Sequence, residues 1–171
     1  MMKHLRRIGK HHGLRFNRHV EPLEARRLMA GTGLTGQYYD TDVFTDLKVT
    51  RTDPTVNFSW AYGSPATSVA ATTFSARWTG QVEATATGEH TFYVRSDNRA
   101  RLWVGGKLVV DDWASHAERE ASGRITLTAG RRYDVKMEFV QGGGLSAAKL
   151  LWSTPNQSKQ VIPTSSLYPV G

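Results

Sequence analysis

An eight-residue alternation of apolar and polar side chains is the sequence feature that most constrains the fold. Apolar Tyr133, Val135, Met137 and Phe139 alternate with charged Arg132, Asp134, Lys136 and Glu138. A period of two sends successive side chains to opposite faces of a β-strand, so the pattern predicts a strand with the Phe139 face buried. Shorter alternations predict further strands around Phe74–Trp78, Phe92–Val94 and Ile125–Leu127.

Turn signals separate these strands at short intervals. Gly105-Gly106 is a two-residue hairpin signal, and Gly88 and Ala129-Gly130 are further turn positions. Asp97-Asn98-Arg99 is typical of a turn in which a short polar side chain bonds its own backbone. Such spacing predicts an all-β fold, an antiparallel sandwich or barrel of about ten short strands.

The net charge of +7 belongs mainly to the N-terminal segment. The first thirty residues hold eight Lys and Arg against two Glu, whereas the rest holds 14 basic and 13 acidic residues. We therefore divide the chain into a disordered basic tail, residues 1–32, and a β-domain, residues 33–171. A nearly neutral domain argues against specific nucleic-acid binding, and no apolar stretch is long enough to predict a transmembrane segment.

The end of the tail carries a possible export segment. Residues 21–30 read Glu-Pro-Leu-Glu-Ala-Arg-Arg-Leu-Met-Ala. This segment resembles the basic Leu-Glu-x-Arg-x-Leu segments that open many exported, surface-associated bacterial proteins, which implies a secreted or cell-surface location. The alternative is a solvated basic arm that contacts polyanions without specificity.

Catalytic motifs are sparse in the predicted β-domain. The absence of Cys excludes thiolate metal sites and Cys nucleophiles. His90, expected to face solvent beside Gly88, and His116 are its two histidines and form no spaced metal pair. Asp111-Asp112 could belong to a glycosidase pair, but a charged loop between strands produces the same pattern. We therefore expect no enzyme activity.

The tryptophans divide into core candidates and one surface candidate. Trp60, Trp78 and Trp152 stand at strand ends or on apolar faces and are predicted core residues. Trp113 follows Asp111-Asp112 in a polar segment, which makes it the best candidate for an exposed aromatic that stacks on a ligand.

Several segments carry a resemblance to a known family, in the family's own order. They are Gly33–Tyr39, Phe74–Gly80, His90–Asp111, Ile125–Gly130, Tyr133–Gln141, Leu150–Trp152, Ile162-Pro163 and Leu167-Tyr168. Together they resemble the protective-antigen fourteen-kilodalton domain family, a β-barrel or sandwich module. The resemblance runs from about Gly33 to Val170 and implies a role in carbohydrate binding.

The resemblance also implies a possible calcium site. In the fungal adhesin branch, two consecutive Asp, a later Asn and two loop carbonyls hold a calcium ion that contacts sugar hydroxyls. The matching positions here are Asp97, Asn98, Gln141, Gly143 and Leu145. Asn98 thus replaces the second Asp, as it does in toxin-type members, for which no sugar-binding calcium is implied.

These residues lead to one functional hypothesis and one alternative. We expect a noncatalytic carbohydrate-binding module of an exported or cell-surface bacterial protein, with a glycan or polysaccharide as partner and a larger multidomain chain as one setting. The expected ligand-binding residues are Asp97, Asn98, Asp111, Asp112, Trp113, Gln141 and Gly143. The alternative is a structural or adhesive β-domain that contacts protein or matrix and binds no sugar.

Overall fold

Twelve β-strands and one 3-10 helix make up the part of the chain that the computed structural model describes, residues 30–170. The predictions for the basic tail lie outside these residues. The strands are β1 (Leu34–Tyr39), β2 (Leu47–Asp53), β3 (Asn57–Ala61), β4 (Phe74–Glu83), β5 (Gly88–Asp97), β6 (Arg99–Val104), β7 (Lys107–Asp112), β8 (Arg119–Leu127), β9 (Arg132–Gln141), β10 (Ser146–Thr154), β11 (Gln157–Val161) and β12 (Leu167–Pro169), and the 3-10 helix spans Thr164–Ser166. The described residues contain no helix with the length and apolar character needed to cross a bilayer.

Two antiparallel sheets pack face to face, which confirms the predicted all-β sandwich. The first sheet has the order β2-β1-β4-β9-β6-β7, with β12 also paired to β4. The second has the order β11-β10-β5-β8, with β3 also paired to β10. The strand predicted from the eight-residue alternation is β9, and it pairs with β4 along its whole length, from Phe74–Gln141 to Glu83–Arg132.

The core lies between the sheets and is rich in aromatic rings. Phe139 is fully buried, which confirms the predicted inward face of β9. Trp78 and Trp152 are also fully buried, whereas Trp60 is half-buried and packs between Phe139 and other rings at the edge of the core. Close packing of these rings fixes how the two sheets face each other.

The prediction that His90 faces solvent was wrong. The His90 side chain is fully buried, its Nδ1 lies 3.1 Å from the Gly88 carbonyl oxygen, and its ring centroid lies 5.6 Å from that of Trp152. The reason is the period of two along β5: His90 shares a face with Phe92, and that face points into the core.

Strand β2 was not predicted because two of its three inward positions, Arg51 and Asp53, are polar. Asp53 is buried, and its carboxylate accepts hydrogen bonds from Tyr38 Oη at 2.5 Å, Trp78 Nε1 at 2.9 Å and Arg51 Nε at 2.7 Å. Burial, together with the Asp53 charge, raises the pKa of Tyr38 far above its ordinary value. Gly36 permits this arrangement, since a Cβ there would come within 2.2 Å of Asp53 Oδ2.

Strand order brings several connections to one end of the sandwich. The β5–β6 junction, the β7–β8 connection and the β9–β10 connection all lie at this end, because their strands alternate in direction. The connection after β3 joins them, since Ala61 pairs with Ser146 at the start of β10. The predicted calcium-site residues belong to this cluster of connections.

Candidate functional site

An open cavity of about 410 Å³ lies among three of these connections. Asp97 and Asn98 reach it from the β5–β6 junction. The β7–β8 and β9–β10 connections supply the other walls, and the lining residues are Asp97, Asn98, Ser115, His116, Ala117, Gly143, Gly144 and Leu145. The fold thus brings together residues that the sequence separates by nearly fifty positions.

Asp97 and Asn98 form one wall of the cavity and are nearly buried. Only 9% of Asp97 and 8% of Asn98 is exposed, and the peptide bond between them is cis. Asn98 Oδ1 accepts a hydrogen bond from the His116 backbone N–H at 3.2 Å. Burial raises the pKa of Asp97, although a hydrogen bond from the Glu118 backbone opposes the shift. Both side chains therefore contact the β7–β8 connection as well as the cavity.

The β7–β8 connection is fixed from behind by Asp112. The Asp112 carboxylate accepts hydrogen bonds from Arg119 Nε at 3.0 Å and from a terminal guanidinium nitrogen of the same side chain, and its Oδ2 lies 3.0 Å from His116 Nε2. Arg119, with His116 in a smaller role, lowers the pKa of Asp112. Asp112 was predicted to bind ligand; it lies behind the cavity wall that His116 forms.

Asp111 and Trp113 lie on the outer face of the first sheet rather than along the cavity. Asp111 pairs with Arg101 at 2.9 Å because alternation along β7 turns it away from buried Asp112. The Trp113 ring covers the Arg101 guanidinium at 4.3 Å and stacks on Phe44 at 6.4 Å between centroids. Trp113 thus joins the β7–β8 connection to the β1–β2 connection.

Gln141 supports the third wall from beneath. Its side chain is fully buried, and Nε2 donates to the carbonyl oxygens of Gly144 and Leu145, each at 3.1 Å. Oε1 of Gln141 is buried without a hydrogen-bond partner among the described residues. Gly143 and Gly144 have φ angles of 107° and 79°, which favour glycine and allow the loop to turn its carbonyls toward Gln141.

The donor set of the cavity fits a weakly held hard cation. Asp97 and Asn98 bring a carboxylate and an amide oxygen to the cavity, both of them ligands of the kind calcium prefers, and the carbonyl oxygens of Gly144 and Leu145 accept hydrogen bonds from Gln141 Nε2. The described residues contain no group of three or more His, Cys, Asp and Glu side chains arranged for a metal. The unpartnered Oε1 of Gln141 is a further oxygen, and exchanging the amide's N and O would turn it toward the loop.

Sequence reasoning pointed to this connection through Asp111, Asp112 and Trp113, but it missed the three residues of the connection that line the cavity. These are Ser115, His116 and Ala117, and a polar loop between strands gives no signal of which of its residues face a cavity. Only the rarity of His in the domain could have drawn attention to His116.

Comparison with known proteins yields close relatives that are much longer than this chain. The chain is 44% identical over 139 residues to the anti-sigma-I factor RsgI3 of Acetivibrio thermocellus, an alignment covering 81% of this chain and 22% of that protein. A solved anti-sigma factor domain-containing protein is 42% identical with a TM-score of 0.81, covering 82% of this chain and 48% of the other.

A more distant structure shares the fold. The PA14 sugar-binding domain from an RTX adhesin has a TM-score of 0.69 at 16% identity, covering 82% of this chain and all of that one. The PA14 domain family model itself matches residues 31–166. This match spans both sheets and all three walls of the cavity, and the chain therefore belongs to the PA14 domain family.

Proposed function

We propose that residues 33–171 form a noncatalytic carbohydrate-binding module and that the cavity beside Asp97 and Asn98 is its binding site. The observation that carries the proposal is the convergence of polar groups from three connections in one open cavity. Sugar hydroxyls need several oriented hydrogen-bond partners, and a rigid β-scaffold with polar loops at one end provides them. The partner is a glycan or polysaccharide.

Calcium is the cofactor of the proposed site. Asp97, Asn98 and the carbonyls of the Gly143–Leu145 segment would hold it, and Gln141 would add its side-chain oxygen after reorientation of the amide. The ion supplies a positive centre on which sugar hydroxyls can be ordered. Since Asp97 is desolvated, a cation beside it favours the charged carboxylate. One carboxylate gives weak binding compared with sites that hold several.

The proposal that the module is noncatalytic rests on the number of carboxylates that line the cavity. Hydrolysis of a glycosidic bond generally uses two carboxyl groups on opposite sides of the scissile bond. Asp97 is the single carboxylate among the lining residues. Asp111 and Asp112, which could have formed a pair, are bound to Arg101 and Arg119 outside the lining.

The proposed setting is an exported or cell-surface protein in which the module is one part of a longer chain. The relatives support a multidomain setting because this chain spans 22% of the anti-sigma factor and 48% of the solved anti-sigma domain protein. An alternative function is a structural or adhesive β-domain that contacts protein without sugar. Asn98 Oδ1 already accepts a hydrogen bond from the His116 backbone N–H. This favours the alternative function, because the oxygen is then less available to an ion.

A glycan array probed with and without calcium tests the proposal. Purified protein is applied to immobilised mono- to hexasaccharides of glucose, galactose, mannose, xylose and arabinose in millimolar calcium and again in EDTA. We expect retention on at least one series, reduced by EDTA and by Asp97→Asn. Retention unaffected by EDTA and by Asp97→Asn would refute the calcium site, and no retention on any series would refute carbohydrate binding.

A further inference from the structure

Two exposed apolar side chains flank the Ala61–Ser146 pair, at the end of the sandwich that holds the cavity. Tyr62 is 75% exposed and Leu145 is 49% exposed. Ala61 pairs with Ser146 between β3 and β10, and Tyr62 and Leu145 are the residues that adjoin this pair. Leu145 lines the cavity, so the turn that carries Tyr62 adjoins the cavity wall formed by the β9–β10 connection.

The backbone around Tyr62 is held in one conformation. The Gly63 N–H donates to the Trp60 carbonyl oxygen at 2.8 Å, which closes a tight turn, and Ala61 within it has a φ of 53°. Ser146 Oγ donates to the Ala61 carbonyl oxygen at 3.2 Å. A positive φ is unfavourable for alanine, so the surrounding contacts must maintain this turn.

The first residue of the turn is anchored in the aromatic part of the core. The Trp60 ring stacks on Phe58 at 5.1 Å and meets the edge of Phe74 at 5.4 Å between centroids. Tyr62, two positions later, remains in solvent. A hydrogen-bonded turn thus presents a large ring to solvent, on the connection that adjoins Leu145 and its cavity wall.

We propose that Tyr62 forms a second sugar subsite, on which the sugar unit adjoining the one in the cavity stacks. This inference rests on the proposed carbohydrate-binding function. A tyrosine ring offers a flat apolar face to the C–H groups of a sugar, and its hydroxyl can bond to sugar hydroxyls. Because the turn is already ordered, stacking costs little additional conformational entropy.

With two subsites in this arrangement, the number of sugar units in the ligand determines how tightly it binds. A monosaccharide can fill the polar cavity alone, whereas an oligosaccharide that leaves the open mouth passes Tyr62 and Leu145. The module should therefore bind oligosaccharides more tightly than the corresponding monosaccharide, and Tyr62 should account for the difference.

The test compares wild-type protein, Tyr62→Ala, Tyr62→Phe and Leu108→Ala on the same calcium-containing array. Leu108 is the control, since it is likewise an exposed apolar side chain, 48% exposed, but lies on β7 near the Gly105-Gly106 hairpin, at the opposite end of the sandwich. We expect Tyr62→Ala to lower oligosaccharide affinity roughly five- to tenfold, as loss of one aromatic contact does. Monosaccharide binding should be unchanged, Tyr62→Phe should retain the preference, and Leu108→Ala should behave as wild type.

The failures of the two proposals are distinguishable. If wild-type protein binds sugar and Tyr62→Ala keeps the same preference for oligosaccharides, the subsite is overturned and the carbohydrate-binding function stands. An equal loss for mono- and oligosaccharides would also overturn it, because Tyr62 would then act on the cavity as a whole. If the wild-type protein is retained on no series, both the subsite and the carbohydrate-binding function are overturned. Because Tyr62 is exposed, the thermal midpoint of Tyr62→Ala should match that of wild type.

Discussion

Replacing Asp53 by Ala should strongly destabilise the domain, because the carboxylate accepts hydrogen bonds from donors on three different strands, two of which are buried. In the native structure Asp53 Oδ2 accepts from both Tyr38 Oη and Trp78 Nε1, and Oδ1 accepts from Arg51 Nε. Tyr38 and Trp78 are fully buried. Their donors have no access to water once the carboxylate is removed.

The expected magnitude follows from the groups left without a partner. Each buried donor that loses its acceptor costs about 1–3 kcal/mol, and two such donors remain in Asp53→Ala. The two lost acceptor interactions therefore cost about 2–6 kcal/mol together, and the half-exposed Arg51 adds little to this loss. Asp53→Asn should cost less, roughly 1–2 kcal/mol, because its amide oxygen can still serve Tyr38 and Trp78. Its NH₂ then faces Arg51, whose partly exposed side chain can turn toward water.

Urea unfolding followed by tryptophan fluorescence measures both changes. The free energy of unfolding should fall in the order wild type, Asp53→Asn, Asp53→Ala, with similar urea dependence for all three. A loss below about 1 kcal/mol for Asp53→Ala, or equal losses for the two variants, would refute the assignment of Asp53 as the shared acceptor.

Two further predictions concern the core and the β7–β8 connection. Phe139→Ala should lower the free energy of unfolding by about 3–5 kcal/mol, since the ring is fully buried, and a loss under about 1 kcal/mol would contradict its place in the core. The pKa of Asp112 is lowered in the folded protein, so its stabilisation is present above the ordinary value of 3.8 and is lost as pH falls through the folded pKa. The stability difference between wild type and Asp112→Asn should therefore shrink as urea titrations move from about pH 6 to about pH 3, and a difference independent of pH would contradict the ion pair.

The fold could be predicted where one face of a strand is apolar. Strands β4, β5 and β9 show clear alternation, and the prediction that the Phe139 face of β9 is buried was correct. Strand β2 could not be found in this way, because its buried face carries Arg51 and Asp53 and depends on partners in β1 and β4. Long-range hydrogen bonds of this kind leave no local period in the sequence.

The candidate site was only partly predictable for a related reason. Asp97, Asn98, Gly143 and Leu145 meet around the cavity, as the motif resemblance implied. Trp113 was chosen because it follows two acidic residues, but its ring lies on Arg101 and Phe44 outside the lining. Tyr62 gave no signal, since its position beside Leu145 depends on the register of β3 against β10. Register between distant strands decides which loops share a surface.

NMR titration of isotope-labelled protein tests the central claim most directly. The probe is the glycan most strongly retained on the array, added in calcium-containing buffer to residues 31–171. We predict that the largest backbone shift changes fall on the cavity walls, at residues 97–98, 115–117 and 141–145, with smaller changes at Tyr62. On the outer face of the first sheet, the Lys136 ammonium lies 4.1 Å from the centre of the Trp103 ring. Shift changes confined to this face would contradict the assignment of the cavity as the carbohydrate-binding site.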